Sequence, residues 1–174
     1  RAYKDGKVGT VMEFVDGRQI ADIHLDDKGE VIGQTVIGNL DFSQESIQRG
    51  LSNLQLLDAI AGQFDRHRGN VIVTRQGEIR GIDNDFSFGV KLNATKDFHH
   101  YRGLPSFIDE RVAKRIMEPD FPAKVRKALT GLLTAEEIEQ TLKRLEQARA
   151  YIASLLKDKK DRLVTKWDKR TYKE

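Results

Sequence analysis

The stretch FDRHRGNVIVTRQGEIRGIDNDFSFG, residues 64–89, constrains the fold more than any other part of the chain. Within it, NVIVTRQGEIRGID reads as strand, glycine-containing turn, strand. A two-stranded hairpin returns the chain to where it began, so Asn70 and Asp83, thirteen residues apart, are expected to end near one another. Asp65 precedes Asn70 by five residues and stands close by, on the loop leading into the hairpin. One amide oxygen plus carboxylate oxygens is a hard donor set, suited to Mg²⁺ or Mn²⁺ rather than to zinc. The opposing reading is a polar hairpin in which Asp and Asn serve only as turn formers. The joint spacing and the flanking apolar strands weigh against it.

Around the hairpin the pattern is mixed. VGTVMEFVDG, residues 8–17, reads as a strand ended by an Asp-Gly turn, and residues 22–33 read as a hairpin around Asp-Lys-Gly. From Ser43 the spacing turns helical: Ile47, Leu51, Leu54, Leu57, Ile60, Ala61 and Phe64 share the pattern, with Ser43 as N-cap, Gly50 as a break point and Gly62 near the end. Beyond an irregular segment after Gly89, helices are expected over 106–117, over 122–133 with Pro122 at its start, and from Thr134 to Leu156. Thr134 and Glu137 form a capping box there, and Ile138, Leu142, Leu145, Ile152 and Leu156 line one face. Strands, helix, hairpin, then helices make an α+β arrangement in one unit spanning 1–174.

Bulk properties exclude some classes. No apolar run approaches the roughly 20 residues of a membrane-spanning helix. The absence of cysteine rules out disulfides and thiolate metal sites. Of the net charge of +3, a surplus sits in the tail, where residues 157–174 hold eight Lys or Arg against four acids. That tail offers a surface to nucleic acid or anionic lipid, but its plainer reading is a solvated, frayed end, and no nucleic-acid partner is expected. Trp167 within it is expected to pack on the body of the protein. The chain opens on Arg1 rather than Met and reads as a piece of something longer.

The intervals around the hairpin resemble those of protein kinases, which place a catalytic-loop Asp five residues before a metal-binding Asn and a second metal-binding Asp beyond a hairpin. The usual H-R-D order is absent. DRHRGN instead resembles the D-R-H-x-x-N loop of phosphatidylinositol 3- and 4-kinases and related atypical kinases, and GIDNDFSFG resembles a variant of their I-D-F-G. HipA-type toxin kinases and secretory-pathway Golgi kinases carry related loops. The resemblance implies Asp65 as catalytic base, Asn70 and Asp83 as ligands of Mg²⁺ (or Mn²⁺), ATP as phosphoryl donor, and His67 near the transferred group. His67 as a simple loop hydrogen-bonder is an equal reading. D-F-G has become DNDFSFG, so Asp85 has two readings, a further metal ligand or a cap on the following turn. VMEFVDG resembles a kinase hinge, which implies adenine contacts at Glu13, Phe14 and Val15. Residues 104–117 and the long helix after Thr134 resemble the helical C-lobe of bacterial kinase-like proteins.

A glycine-rich loop and a strand lysine paired with a helix glutamate complete a kinase. Neither precedes VMEFVDG, and KDGKVG reads as a turn, so the chain resembles a kinase C-lobe whose N-lobe lies upstream or on another chain. The implied function is phosphoryl transfer from ATP to a hydroxyl. A protein acceptor is favoured over a lipid, because residues 90–102 hold only Lys91, Lys96 and Arg102 where a membrane-facing basic loop is wanted. A bacterial toxin or effector, cytoplasmic or secreted into a host cell and acting with a protein substrate or an activating host protein, fits this reading; membrane contact stays open. The alternative is a non-catalytic kinase-like module that binds a partner protein. A third reading, a small-molecule phosphotransferase of the aminoglycoside or choline kinase type, lacks the expected H-G-D.

Overall fold

Short antiparallel strands precede a helical second half in the computed structural model, which describes residues 2–4, 7–9, 15–25, 31–36, 41–89 and 103–167. Strands β1 (Ala2–Lys4) and β2 (Lys7–Gly9) pair with each other. Strand β3 (Gly17–Gln19) is followed by β4 (Ala21–Leu25) and β5 (Val31–Val36), and the last two form the hairpin expected over 22–33. Val15 and Asp16 are irregular, so the single strand expected over 8–17 does not continue to its end. The Asp16-Gly17 step is an entry to β3 rather than a turn. Pairing of Gly17 with Thr74 of the later hairpin outweighs the local turn preference of the dipeptide.

Helix α1 (Glu45–Ala61) runs unbroken through Gly50 and ends at Gly62 in the left-handed conformation that glycine adopts without strain. Its N-cap is Gln44, not Ser43; the Ser43 backbone N–H and hydroxyl both donate to Asp41 instead. No basic residue sits in the last turn of α1, and Arg144 supplies one from elsewhere, donating to the carbonyls of Ile60 (2.9 Å) and Ala61 (3.2 Å). Strands β6 (Val71–Thr74) and β7 (Ile79–Gly81) form the central hairpin, and β6 lies between β3 and β7.

The C-terminal half holds β8 (Ile108–Asp109), α2 (Glu110–Ile116), α3 (Phe121–Leu129), α4 (Ala135–Asp158) and β9 (Leu163–Val164). The helix expected over 106–117 starts late because Ile108 and Asp109 pair in parallel with Leu163 and Val164, and the Asp109 carboxylate then caps α2. The capping box of Thr134 and Glu137 is present. Leu155, rather than the expected Leu156, completes the buried face of α4. The tail is not frayed through residue 167. It forms one 3₁₀ turn and β9, and Trp167 is buried.

Two apolar clusters result. Leu56, Ile108, Ala113, Ile116, Leu145, Ala148, Ile152 and Leu155 form the larger one, and Ile20, Ile47, Val71 and Val73 the smaller one under the hairpin. The architecture is α+β, with four helices and small sheets among the described residues. No described helix is long and apolar enough to cross a membrane.

Candidate functional site

The register of the hairpin carries the site. Val71 pairs with Gly81, and the ladder continues one step further, where the Ile82 N–H donates to the Asn70 carbonyl (2.9 Å). Asn70 therefore faces Ile82, and Asp83 is the next residue along. This is the juxtaposition expected from a chain that folds back on itself. Asn70 is buried at the end of a 3₁₀ turn, Arg68–Asn70, and its Nδ2 donates to the Asp65 carbonyl (3.2 Å). That bond leaves Oδ1 as the amide's acceptor atom.

Gln63 ties the two halves together from below. Its Nε2 donates to the Asp83 carbonyl (2.8 Å), while its Oε1 accepts from the Asp65 N–H (3.3 Å). Both backbone groups of Asp65 are thus engaged, and its half-buried side chain projects from a fixed main chain. Asp83 has φ 55°, in the left-handed region that Asp tolerates better than most residues. The Asp83 carboxyl is raised above the usual carboxylate range. Partial loss of water raises it first, then a hydrogen bond with the Asp85 carboxyl and the charges of Asp85 and Asp65, with His67 opposing. Asp65, His67, Asp83 and Asp85 therefore share one electrostatic neighbourhood beside Asn70. Phe64 and Phe86, one residue from Asp65 and Asp85 respectively, pack as tilted rings with centroids 4.8 Å apart.

Arg66 is the residue that spacing alone did not single out. Its Nε and Nη2 donate to the two carboxylate oxygens of Asp58 on α1 (2.9 and 3.0 Å). Its Nη1 donates to the carbonyls of Asn70 (3.2 Å) and Ile82, and its Nη2 also donates to the Asn84 side chain. A signal was present in the sequence: Asp58 interrupts the apolar run LQLLDAIA, where a charge is costly unless paired. Burial pushes the Asp58 carboxyl up, against the opposing pull of Arg66. A groove of about 650 Å³ between α1 and β7 reaches this pair and is lined also by Asn84 and Phe88.

Not every expected residue joins the cluster. Glu13 and Phe14 lie outside the described residues. Val15 precedes β3, whose Gly17 pairs with Thr74, and Asp16 forms an ion pair with Arg75 (3.1 Å). Gly17 thus lies about 13 Å along β6 from Asn70, at roughly 3.3 Å per residue, and Val15 is two residues further on, on the side of the turn.

Among the described residues, no group of three or more His, Cys, Asp or Glu is set to hold a metal ion by itself. By chemistry alone, the Asn70 amide oxygen and the Asp83 and Asp85 carboxylates are hard donors of the kind a divalent cation takes, and such a cation would offset the Asp85 charge that adds to the burial raising Asp83. No protein-family model matches the chain, and neither do any curated proteins or solved structures.

Proposed function

We propose that this chain carries the phosphoryl-transfer centre of an atypical kinase, the counterpart of a kinase C-terminal lobe, using ATP and Mg²⁺ or Mn²⁺ to modify a hydroxyl, with a protein acceptor favoured. The observation that supports this best is the convergence of Asp65, Asn70, Asp83 and Asp85 at the open end of one hairpin, held there by Gln63 and the Asn70–Ile82 bond.

In this reading Asp65 accepts the proton of the acceptor hydroxyl, and its pinned backbone narrows the positions its carboxylate can take as the hydroxyl approaches. Asn70, Asp83 and Asp85 hold the metal ion, which neutralises charge on the phosphate oxygens. His67, half-buried on the loop, adds a donor beside the same phosphate. Nearly all the catalysis asked of such a site is positioning and charge neutralisation, and a fixed hairpin end supplies the first of these.

Titration of Mg²⁺ and ATP with thermal shift tests it. Saturating nucleotide at about 100 times Kd adds about 2.7 kcal/mol of stability. Asp83→Ala should remove the metal-dependent part of the shift. Asp65→Asn should keep nucleotide binding and abolish transfer to a generic acceptor such as myelin basic protein. A wild-type protein that neither gains stability nor transfers phosphate, or variants that keep full activity, would overturn the assignment.

A further inference from the structure

We propose that Arg66 is a positioning residue of this site: anchored on Asp58 of α1, it acts with the Gln63 bridge to set the separation between the Asp65–Asn70 loop and the Asp83–Asp85 segment. The inference rests on the kinase reading for its catalytic consequence, but its geometric part stands by itself.

Arginine offers five N–H donors in a planar fork. Here the fork makes five hydrogen bonds. Two are spent on one partner, the Asp58 carboxylate, in a bidentate pair whose side chains are 9% and 10% exposed. The other three reach across the site, to the carbonyl of Asn70 on one half and to the carbonyl of Ile82 and the side chain of Asn84 on the other. An arginine kept only to satisfy a buried aspartate would not need the second set.

The flanking strand is shaped around the same group. A Cβ on Gly81 would stand 3.0 Å from the guanidinium carbon and 3.0 Å from Nη2. The same Cβ would stand 2.9 Å from Leu54 Cδ1, so a residue without a Cβ at this position leaves room for the fork beside β7. Asp58 belongs to a helix packed into both apolar clusters, so the fork transmits a fixed reference point to two segments that have few apolar contacts of their own. Lysine carries the same charge on a single point and cannot span carboxylate, two carbonyls and an amide together.

Arg66→Lys and Gly81→Ala are the test variants, the second displacing the fork without deleting any of its atoms. Leu145→Ala, in the other cluster, serves as a control matched for loss of stability. Amide exchange at Ile82 reads the geometry directly and needs no activity. It should quicken at least about tenfold in both variants, and not in the control measured at equal distance from its melting temperature. Mn²⁺ affinity, read by electron paramagnetic resonance with ATP present, should weaken by about 10–100-fold, the usual effect of removing an outer-shell support. With a generic protein acceptor, kcat should fall by about 100-fold while the KM for ATP stays within about threefold. Unchanged Ile82 exchange in Arg66→Lys, or an equal effect in Leu145→Ala, would overturn the proposal. Faster Ile82 exchange in a protein whose wild type neither binds Mn²⁺ nor transfers phosphate would confirm the clasp and remove the kinase reading instead.

Discussion

A methyl group added at Gly50 tests how the hairpin is held against α1. A Cβ built there would stand 2.6 Å from Ile79 Cγ1 and 2.8 Å from Ile79 Cβ, both well inside van der Waals contact. Two effects oppose each other in Gly50→Ala. Helix propensity favours alanine over a mid-helix glycine by about 0.5–1 kcal/mol. Overpacking costs about 1–3 kcal/mol, and the upper part of that range applies when the neighbour cannot swing aside. Ile79 Cβ is attached directly to the backbone of β7, so relief requires the strand itself to move. Packing should therefore win, with a net loss of about 1–2 kcal/mol, or roughly 2–8 °C in Tm for a chain of this size. Urea unfolding followed by the single tryptophan, Trp167, which is 4% exposed, reports it. The double variant Gly50→Ala, Ile79→Ala should lose less than the sum of the two single losses, by about 1 kcal/mol, since truncation removes one of the two clashes. A Gly50→Ala protein more stable than wild type would show that helix and strand do not approach this closely.

Three further outcomes follow from named contacts. Asp58→Ala leaves the Arg66 guanidinium buried without its carboxylate and should cost about 3–5 kcal/mol in urea unfolding; a loss below about 1 kcal/mol would mean the pair is not buried. Arg144→Met keeps the aliphatic stem but removes the donors to Ile60 and Ala61, and should cost about 1–3 kcal/mol by the same measurement, whereas a neutral result would mean water caps α1 equally well. The Glu137 carboxylate accepts from the Thr134 N–H (2.7 Å) and hydroxyl (2.8 Å), which hold it below its ordinary value of 4.5. A lowered folded-state value gives stabilisation that is present above the unfolded value and lost as pH falls through the folded one. The Tm gap between wild type and Glu137→Gln should therefore be open at neutral pH and close progressively below 4.5; a gap that stays constant in acid would refute the capping box as its source.

Regular, self-contained signals were the legible ones. The Thr134 capping box, the helical spacing from Ile47 to Ile60 and the turn between β6 and β7 are local, and the structure keeps all three. What escaped was decided by partners distant in sequence. Ser43 has the right chemistry for an N-cap, but Asp41 two residues earlier takes its hydroxyl. Ile108 and Asp109 continue a helical pattern, yet a parallel strand 55 residues later claims their backbone. The closeness of Asn70 and Asp83 followed from the logic of a hairpin alone. The Gln63 bridge and the five bonds of Arg66 did not, because no periodicity marks a polar side chain that reaches across a gap.

Helix α1 explains why the candidate site sits where it does. Ile47, Leu51 and Leu54 pack into the hairpin cluster, while Leu56 and Ile60 belong to the helical one. At about 100° per residue, the nine steps from Ile47 to Leu56 amount to two and a half turns, so the two clusters grip opposite faces of one helix. A helix held on both faces cannot roll without opening both cores, and everything that leaves its C-terminal end inherits that reference. Asp58 lies in its last turn, Gly62 and Gln63 follow directly, and Asp65 and Arg66 come next. The site itself is then joined by polar contacts, which can be altered with both cores intact. The same added methyl should separate the two levels. At Gly50 it meets a β-carbon of the packed core, so it should lower stability by more than Gly81→Ala does, and should quicken Ile82 exchange, relative to global unfolding, by less. At Gly81 it meets the Arg66 guanidinium and only the far end of Leu54, at 2.9 Å, so it should disturb the site more than the fold. Equal losses of stability and equal effects on Ile82 from the two substitutions would mean that clasp and core are one cooperative unit.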